Sequence, residues 1–227
     1  MTRIASTLRA LLLAGGLVVA SPLCHAIPNV WINEIHYDNA GGDSGEFVEI
    51  AGDSGIDLAS FVLSFYNGYN GAVYKSVSLA GVLGNQANGF GFHAEFVSGI
   101  QNGSPDGVAL SYAGGLVQFL SYEGSFSGSG GPASGILSSE ISASEEPAPD
   151  SGSLQLVGSG NKYSDFVWTL LDTPTADAAN EGQSFPSIAA SSARGSSVPD
   201  RGSAAMLAFI GLFSLWVIGP RRSRRCV

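Results

Sequence analysis

The feature that most constrains this fold is an alternation of apolar and polar residues, interrupted at short intervals by glycine, asparagine or proline. Successive side chains of an extended strand point to opposite faces, so a period of two is typical of strands that bury one face. No stretch of the central region keeps a helical period. The alternation predicts nine strands, over residues 30–37, 46–51, 61–66, 73–79, 89–93, 107–112, 116–121, 153–157 and 165–169.

The segments between the predicted strands carry residues that favour turns. Asn67-Gly68 and Asn70-Gly71 separate two runs of aromatic and β-branched residues. This is a hairpin signal, because Asn and Gly tolerate a positive φ. Many short strands with turns between them and no helix predict an all-β fold, an antiparallel β-sandwich.

The first 26 residues have the pattern of a secretory signal peptide. Two arginines precede an apolar core over residues 11–20, and small residues fit a cleavage site after Ala26. The core is too short for an ordinary membrane span. Lipidation of Cys24 is the alternative, and the bulky Leu23 before it disfavours that reading. We therefore expect export and removal of residues 1–26.

The C-terminus carries a polar spacer, a short motif, an apolar run and a basic cluster. The spacer covers residues 187–197, and the uncharged apolar run covers residues 204–218. Arginines beside an apolar run mark the cytoplasmic side of a membrane. The expected topology therefore places the body outside and the tail inside, with 204–218 as the anchor; a buried core helix is the alternative. The basic cluster consists of Arg221, Arg222, Arg224 and Arg225.

This order of features in "VPDRGSAAMLAFIGLFSLWVIGPRRSRR" resembles the PEP-CTERM class of bacterial sorting signals, in its Val-Pro-Asp-x-Gly variant. The resemblance covers residues 198–227, and Arg201 stands where Ser or Gly is usual. It implies recognition by a membrane-embedded exosortase that cuts near the motif, and it implies a Gram-negative envelope. The motif residues are Val198, Pro199, Asp200 and Gly202.

The body between these two ends, residues 27–197, is strongly acidic. It holds eighteen acidic side chains against three basic ones, a net charge of −15. Such a field repels a phosphate backbone and argues against nucleic-acid binding. Both cysteines, Cys24 and Cys226, fall in the ends, so the body has no disulfide.

Six motifs follow one another over roughly residues 30–185: "INEIHYDNAGGDSGEFVEI", "DLASFVLSFYNGYNGAVYKSVSLAG", "GIQNGSPDGVALSY", "VQFLSYEGSF", "SLQLVGSG" and "YSDFVWTL". In this order they resemble the bacterial lamin-tail domain, an immunoglobulin-like sandwich. The resemblance places the domain at 27–186. It implies that Glu34, Glu46 and Glu49 serve the fold, partly through backbone hydrogen bonds.

The loop of residues 38–45 is a candidate metal site. Asp38, Asp43 and Glu46 are close in sequence, with His36 nearby. Calcium takes six to eight oxygen ligands, which a glycine-rich acidic loop can supply in part. The spacing is not that of an EF-hand, and a solvated acidic turn is the alternative.

Other chemistry has weaker support. The sequence Gly-Asp-Ser-Gly occurs at 42–45 and 52–55, but a protease triad also needs a base and an orienting acid around the serine. Asp-Ser-Gly is a common turn sequence. Tyr66, Tyr69 and Tyr74 surround the predicted hairpin; exposed aromatics stack on sugars, whereas strand aromatics more often pack across a sheet.

These features predict an exported, non-catalytic protein of the cell envelope or extracellular matrix. Its expected work is adhesion, structure or binding, with polysaccharide or envelope protein as partner and no cofactor except possible calcium. The alternative is an accessory domain or an unrecognised, calcium-dependent hydrolase of extracellular polymers.

Overall fold

A computed structural model describes residues 27–146 and 151–187. The predicted signal peptide, the sorting motif and the predicted anchor lie outside the described residues. In the described part, no helix has the length and apolar character that crossing a membrane requires. The strands are β1 (Val30–His36), β2 (Phe47–Asp53), β3 (Phe61–Asn67), β4 (Ala72–Ser78), β5 (Phe90–Phe96), β6 (Asp106–Tyr112), β7 (Gly115–Tyr122), β8 (Ser139–Glu140), β9 (Ser153–Ser159), β10 (Phe166–Leu171) and β11 (Gln183–Ser184). Short 3-10 helices cover Leu58–Ser60, Gly131–Ala133 and Tyr163–Asp165.

The strands form two sheets. The first has the order β10-β9-β1-β2-β5, with β11 paired to β9, and the second has the order β4-β3-β6-β7-β8. All pairings are antiparallel except β9 with β11 and β7 with β8. The predicted all-β sandwich and its nine strands are confirmed. The two unpredicted strands, β8 and β11, have two residues each, too few to show an alternation.

The main core contains buried apolar side chains of both sheets. It includes Ile32 and Ile50 of the first sheet and Leu63, Val108 and Leu110 of the second. Removing this apolar surface from water is the largest favourable term in a fold of this kind. The described body has no cysteine, so this burial and its hydrogen bonds hold it together.

A β-bulge changes the two faces of β1. Strict alternation predicts one face with Trp31, Asn33, Ile35 and Tyr37 and another with Ile32, Glu34 and His36. The register with β2 shifts between Ile32 and Glu34, so Ile32 and Ile35 both lie in the main core. The predicted faces were wrong, because a bulge at Asn33 adds one residue to the strand.

The face of the first sheet opposite the main core is covered by residues 172–187, here called the C-terminal strap. Its Phe185 ring lies 4.7 Å from the ring of Phe90 and 6.5 Å from that of Trp31. Phe166 stacks on Trp31 at 6.0 Å. These aromatic side chains form a second buried cluster, so the first sheet is covered on both faces.

Candidate functional site

Polar side chains form a connected network under the C-terminal strap. They come from β1, β2, β9 and the strap itself, and each is buried or half-buried. We call this set the strap network: Asn33, Glu34, Glu49, Ser153, Gln155, Thr175, Asn180 and Gln183.

Glu34 ties the strap to β1. Its Oε1 accepts hydrogen bonds from the Ser153 hydroxyl and from the backbone N–H of Thr175, at 2.9 Å. Its Oε2 accepts one from the Thr175 hydroxyl at 2.7 Å. Burial raises the pKa of Glu34, and these hydrogen bonds only partly oppose that effect.

Glu49 lies directly opposite Glu34 in the β1–β2 register and is fully buried. Its Oε1 accepts a hydrogen bond from the Asn33 amide at 2.9 Å, and its Oε2 has no partner within the described residues. Burial raises the pKa of Glu49 well above its ordinary value, and the nearby Glu34 carboxylate adds to the shift. Burial therefore shifts the equilibrium of Glu49 towards the neutral acid, compared with a solvated glutamate.

Asn180 satisfies the backbone where β1 and β9 separate. These strands pair only at Glu34 and Ile35 of β1. Beyond that point, the Asn180 amide donates to the carbonyls of Asn33, at 3.0 Å, and Leu156, at 2.9 Å. A strap side chain thus takes the place of ladder hydrogen bonds next to the bulge.

The acidic loop (residues 38–45) brings two of the predicted metal ligands together. The Asn102 amide donates to Asp38 Oδ1 at 3.0 Å and to Asp43 Oδ2 at 3.1 Å. Asp43 is exposed and Asp38 is half-buried. Burial and the Asp43 carboxylate both raise the pKa of Asp38.

Glu145 anchors the entry to the acidic loop and was not predicted. It is fully buried, and its Oε2 accepts the backbone N–H groups of Tyr37, at 2.9 Å, and Asp38, at 2.7 Å. Its Oε1 lies 3.2 Å from Nδ1 of His36. Burial opposes the charged imidazolium, but the hydrogen bond and charge of Glu145 outweigh it and raise the pKa of His36.

Glu46, the third predicted metal ligand, is engaged on another loop. Its two oxygens accept the backbone N–H groups of Gly99, at 2.6 Å, and Ile100, at 2.7 Å. Across the described ranges, no three His, Cys, Asp or Glu side chains are grouped to hold a metal ion. Calcium at Asp38 and Asp43 would need backbone or water oxygens as well. It stays a prediction.

The other residues of chemical interest are placed mainly by packing. The ring nitrogens of His36 are hydrogen-bonded to Glu145 and Asn39, and in the described part of the chain the Ser44 hydroxyl makes no hydrogen bond to them. The hydroxyl of Tyr66 is bonded to Gly130 and Ala133.

Of the three hairpin tyrosines, Tyr69 is the exposed one. Its side chain is 96% exposed, whereas the Tyr74 hydroxyl accepts the N–H of Gln101 at 2.9 Å. A flat sugar-binding platform needs several exposed rings side by side, and these tyrosines do not form one.

No family model, no curated protein and no solved structure matches this chain. The resemblance to the lamin-tail domain and to the sorting signal therefore stays a prediction from the motifs. Of the three glutamates that the resemblance assigns to the fold, Glu34 and Glu46 accept backbone hydrogen bonds.

Sequence reasoning missed most of the strap network and Glu145. Asn180 and Gln183 lie in a polar stretch with no alternation, and Glu145 lies in a Glu/Pro-rich loop. The signal that points to the network is the pair Glu34 and Glu49. An acid in the middle of a buried strand needs a partner, and that partner must come from elsewhere in the chain.

Proposed function

We propose that this chain is an exported, non-catalytic module of the cell envelope or extracellular matrix, with an immunoglobulin-like sandwich of the lamin-tail type. It binds or scaffolds, and its partners are polysaccharide or envelope protein. A membrane-embedded exosortase recognises its C-terminal motif.

The non-catalytic part of this proposal rests on the hydrogen bonds that the buried acidic side chains accept. The described residues include five buried acidic side chains, which join separate segments of the fold. Four of them accept a backbone N–H from another segment: Glu34, Glu46, Asp106 and Glu145. The fifth, Glu49, accepts the Asn33 amide. A general acid or base has to reach a substrate, whereas these groups hold loops against the sheets.

Two surface depressions among the described residues support the same reading. One, about 320 Å³, is lined mainly by apolar residues of β7 and by Ile136 and Leu137, with Gln118, Ser139 and Tyr163. The smaller, about 290 Å³, contains Asp43 and Glu46, but both oxygens of Glu46 already accept backbone hydrogen bonds.

The test uses residues 27–197, purified and offered phosphodiesters and polysaccharides. We expect retention on a polysaccharide or envelope-protein matrix without turnover of any substrate. Turnover without retention would contradict the proposal and favour a hydrolase. Exposed loop carboxylates such as Asp43 would then be the first candidates for its site.

The sorting proposal has a separate test. Mass spectrometry of the extracellular protein should show an N-terminus at Ile27 and a C-terminus near Val198. Replacing Val198, Pro199 and Asp200 with alanine should leave the C-terminal arginines attached. The same mature end in this variant would contradict exosortase recognition of the motif.

A further inference from the structure

The edges of the two sheets differ in how they resist pairing with another strand. An exposed edge presents unpaired N–H and C=O groups, and native proteins usually block it with charges, bulges, caps or very short strands. In the described residues the edge strands are β5 and β10 of the first sheet and β4 and β8 of the second. Three of these edges carry such a device.

The edge of β5 is capped by side chains. Oε1 of Gln86 accepts the N–H of Phe92 at 2.7 Å, and Oδ1 of Asp177 accepts the N–H of Ala94 at 2.8 Å. The Gln86 amide donates to the Asp177 carbonyl at 2.8 Å, which links the two caps. An incoming strand would have to displace both.

The edges of the second sheet are protected in other ways. β4 carries Lys75, whose ammonium bonds the Ser98 carbonyl, and its register with β3 is irregular between Phe65 and Tyr66. β8 has two residues, one of them the exposed Glu140. A lysine, an irregular register and a very short strand each disfavour strand addition.

β10 carries none of these devices. Its sequence "FVWTLL" has no charge and no proline, and its register with β9 is continuous over all six residues. Val167 is 66% exposed and Leu170 is 37% exposed. Within 27–146 and 151–187, residues 167–171 make no backbone hydrogen bond beyond their pairing with β9.

Acidic residues bracket this edge. Asp165 precedes β10, Asp172 follows it, and both are exposed. The Asp165 carboxylate accepts the backbone N–H groups of Asn161 and Lys162, so it is held at the end of the strand. Six residues of strand span about 20 Å, so the two carboxylates mark the ends of a short apolar track.

We propose that β10 is a docking edge for an extended segment of another protein, with alternating apolar residues between basic ends. Backbone hydrogen bonds would supply the affinity, and the two aspartates would select lysine or arginine at the ends. A second copy of this chain fits less well. In an antiparallel pair of β10 strands, Asp165 of one copy would approach Asp172 of the other, and like charges repel. The proposal names a partner for the binding module proposed above and rests on it.

The probe is a nine-residue peptide of alternating threonine and valine with a lysine at each end, titrated into the full chain in mild detergent. A glutamate-ended peptide tests the charge selection. A lysine-ended peptide methylated at alternate backbone nitrogens tests the strand pairing. We expect the lysine-ended peptide to bind about tenfold more tightly than the glutamate-ended one at low salt. We expect no measurable binding of the methylated peptide.

Two exposed valines provide a matched pair of variants. Val167→Lys places a charge on the edge, whereas Val82→Lys adds the same charge at a position of 64% exposure outside the strands. Both change the net charge equally, so a difference between them isolates the edge. Val167→Lys should weaken peptide binding at least about fivefold, and Val82→Lys should change it by less than about twofold.

A second pair of variants, with a smaller expected effect, tests the role of the acidic residues at the ends of β10. Asp172→Asn should weaken binding about twofold to threefold, and Glu140→Gln should leave it within error. A near-ultraviolet circular dichroism spectrum that is the same for all four variants checks that each is folded.

Four results would overturn the proposal. Equal weakening by both valine variants, or undiminished binding of the methylated peptide, would show nonspecific attraction to an acidic body. A dimer in sedimentation equilibrium that Val167→Lys dissociates would make a second copy the occupant. Protection from hydrogen exchange, without peptide, of the β10 amides that do not bond to β9 would show that the chain covers its own edge.

The two proposals can fail separately. If no peptide binds but a polysaccharide is still retained, the docking edge is wrong and the proposed binding function stands. If the protein turns over a substrate without retaining it, the proposed function falls, whatever the peptide does.

Discussion

The strap network and the acidic loop use the same chemical groups in opposite surroundings. Each contains two neighbouring acidic residues and an asparagine amide. Glu34 and Glu49 face each other in the strand register, and the Asn33 amide donates to Glu49. The Asn102 amide donates to both Asp38 and Asp43. The first set is fully buried, whereas the second set includes the exposed Asp43.

The difference shows how burial under the strap changes the hydrogen bonding and solvation of two neighbouring acidic side chains. Under the strap, Glu49 has an oxygen with no hydrogen-bond partner in the described residues, and burial favours its neutral form. In the acidic loop, Asp43 is exposed, so water can solvate its carboxylate. The strap network is therefore a structural lock, and the acidic loop is the set of carboxylates that remains open to a ligand.

The largest change in the free energy of unfolding is expected for a substitution in the strap network. Asn180→Ala should lower the free energy of unfolding by about 3 kcal/mol, because two buried carbonyls lose their donor. Urea denaturation of residues 27–197 measures this. The control is Asn70→Ala, which removes only an exposed turn hydrogen bond to Ala72 and should cost under about 1 kcal/mol. If both variants lost a similar free energy of unfolding, the strap network would contribute no more to stability than an exposed turn.

The next largest change in stability is expected at Glu145, which holds the start of the acidic loop. Glu145→Gln should cost about 2 kcal/mol at pH 6, because one acceptor oxygen becomes a donor that faces other donors. It should also lower the pKa of His36, followed by NMR. The raised pKa of His36 contributes stability that is complete below the unfolded value of about 6.5. That stability is lost as pH rises through the folded pKa, and the loss should be absent in the variant.

A change of opposite sign is expected at Glu49. Glu49→Gln should stabilise the fold by on the order of 1 kcal/mol at pH 8, because an amide avoids burying a charge. The unfolded chain ionises near pH 4.5, whereas the folded pKa is raised, so the native protein should lose stability as pH rises above that point. The variant should lose less.

Glu46→Gln is the control for this sign. Its carboxylate accepts two backbone N–H groups, so the amide should destabilise the fold. Stabilisation by both substitutions would mean that hydrogen bonding to these acids does not matter.

The smallest effect is expected in the open loop. Asp43→Asn should change the free energy of unfolding by less than about 0.5 kcal/mol, because Asp43 is exposed. It should also lower the pKa of Asp38 by removing a like charge. Calorimetric titration with calcium distinguishes a metal site from a solvated turn. Heat that is present in the native chain and absent in the variant would support calcium, and equal heats would exclude it at this loop.

Sequence reasoning was sufficient for the sheets because alternation is a local signal. All nine predicted strands occur, and the hairpin at Asn67–Gly71 joins β3 to β4 as its turn residues indicate. The bulge at Asn33 was missed, because the sequence of β1 by itself does not show where an extra residue shifts the strand faces. It is visible only in the pairing with β2.

The candidate site was predicted only in part, because its partners are distant in sequence. Asp38 and Asp43 do meet, but the amide that joins them comes from Asn102. Glu34 and Glu49 were assigned to the fold only through the family resemblance. Their cover comes from residues 172–187, which carry no periodic signal of their own. Long-range hydrogen bonds of this kind leave no local pattern to read.

The C-terminal strap also sets the order of events when the chain is made. β1 is the first strand of the domain. The layer that covers β1 is completed by Asn180 and Phe185, which lie near the C-terminal end of the domain. A nascent polypeptide released from the ribosome or a translocation pore up to β10 would still lack that layer. Residues 172–187 therefore close over β1 only when synthesis of the domain is complete, and such late, distant contacts slow folding.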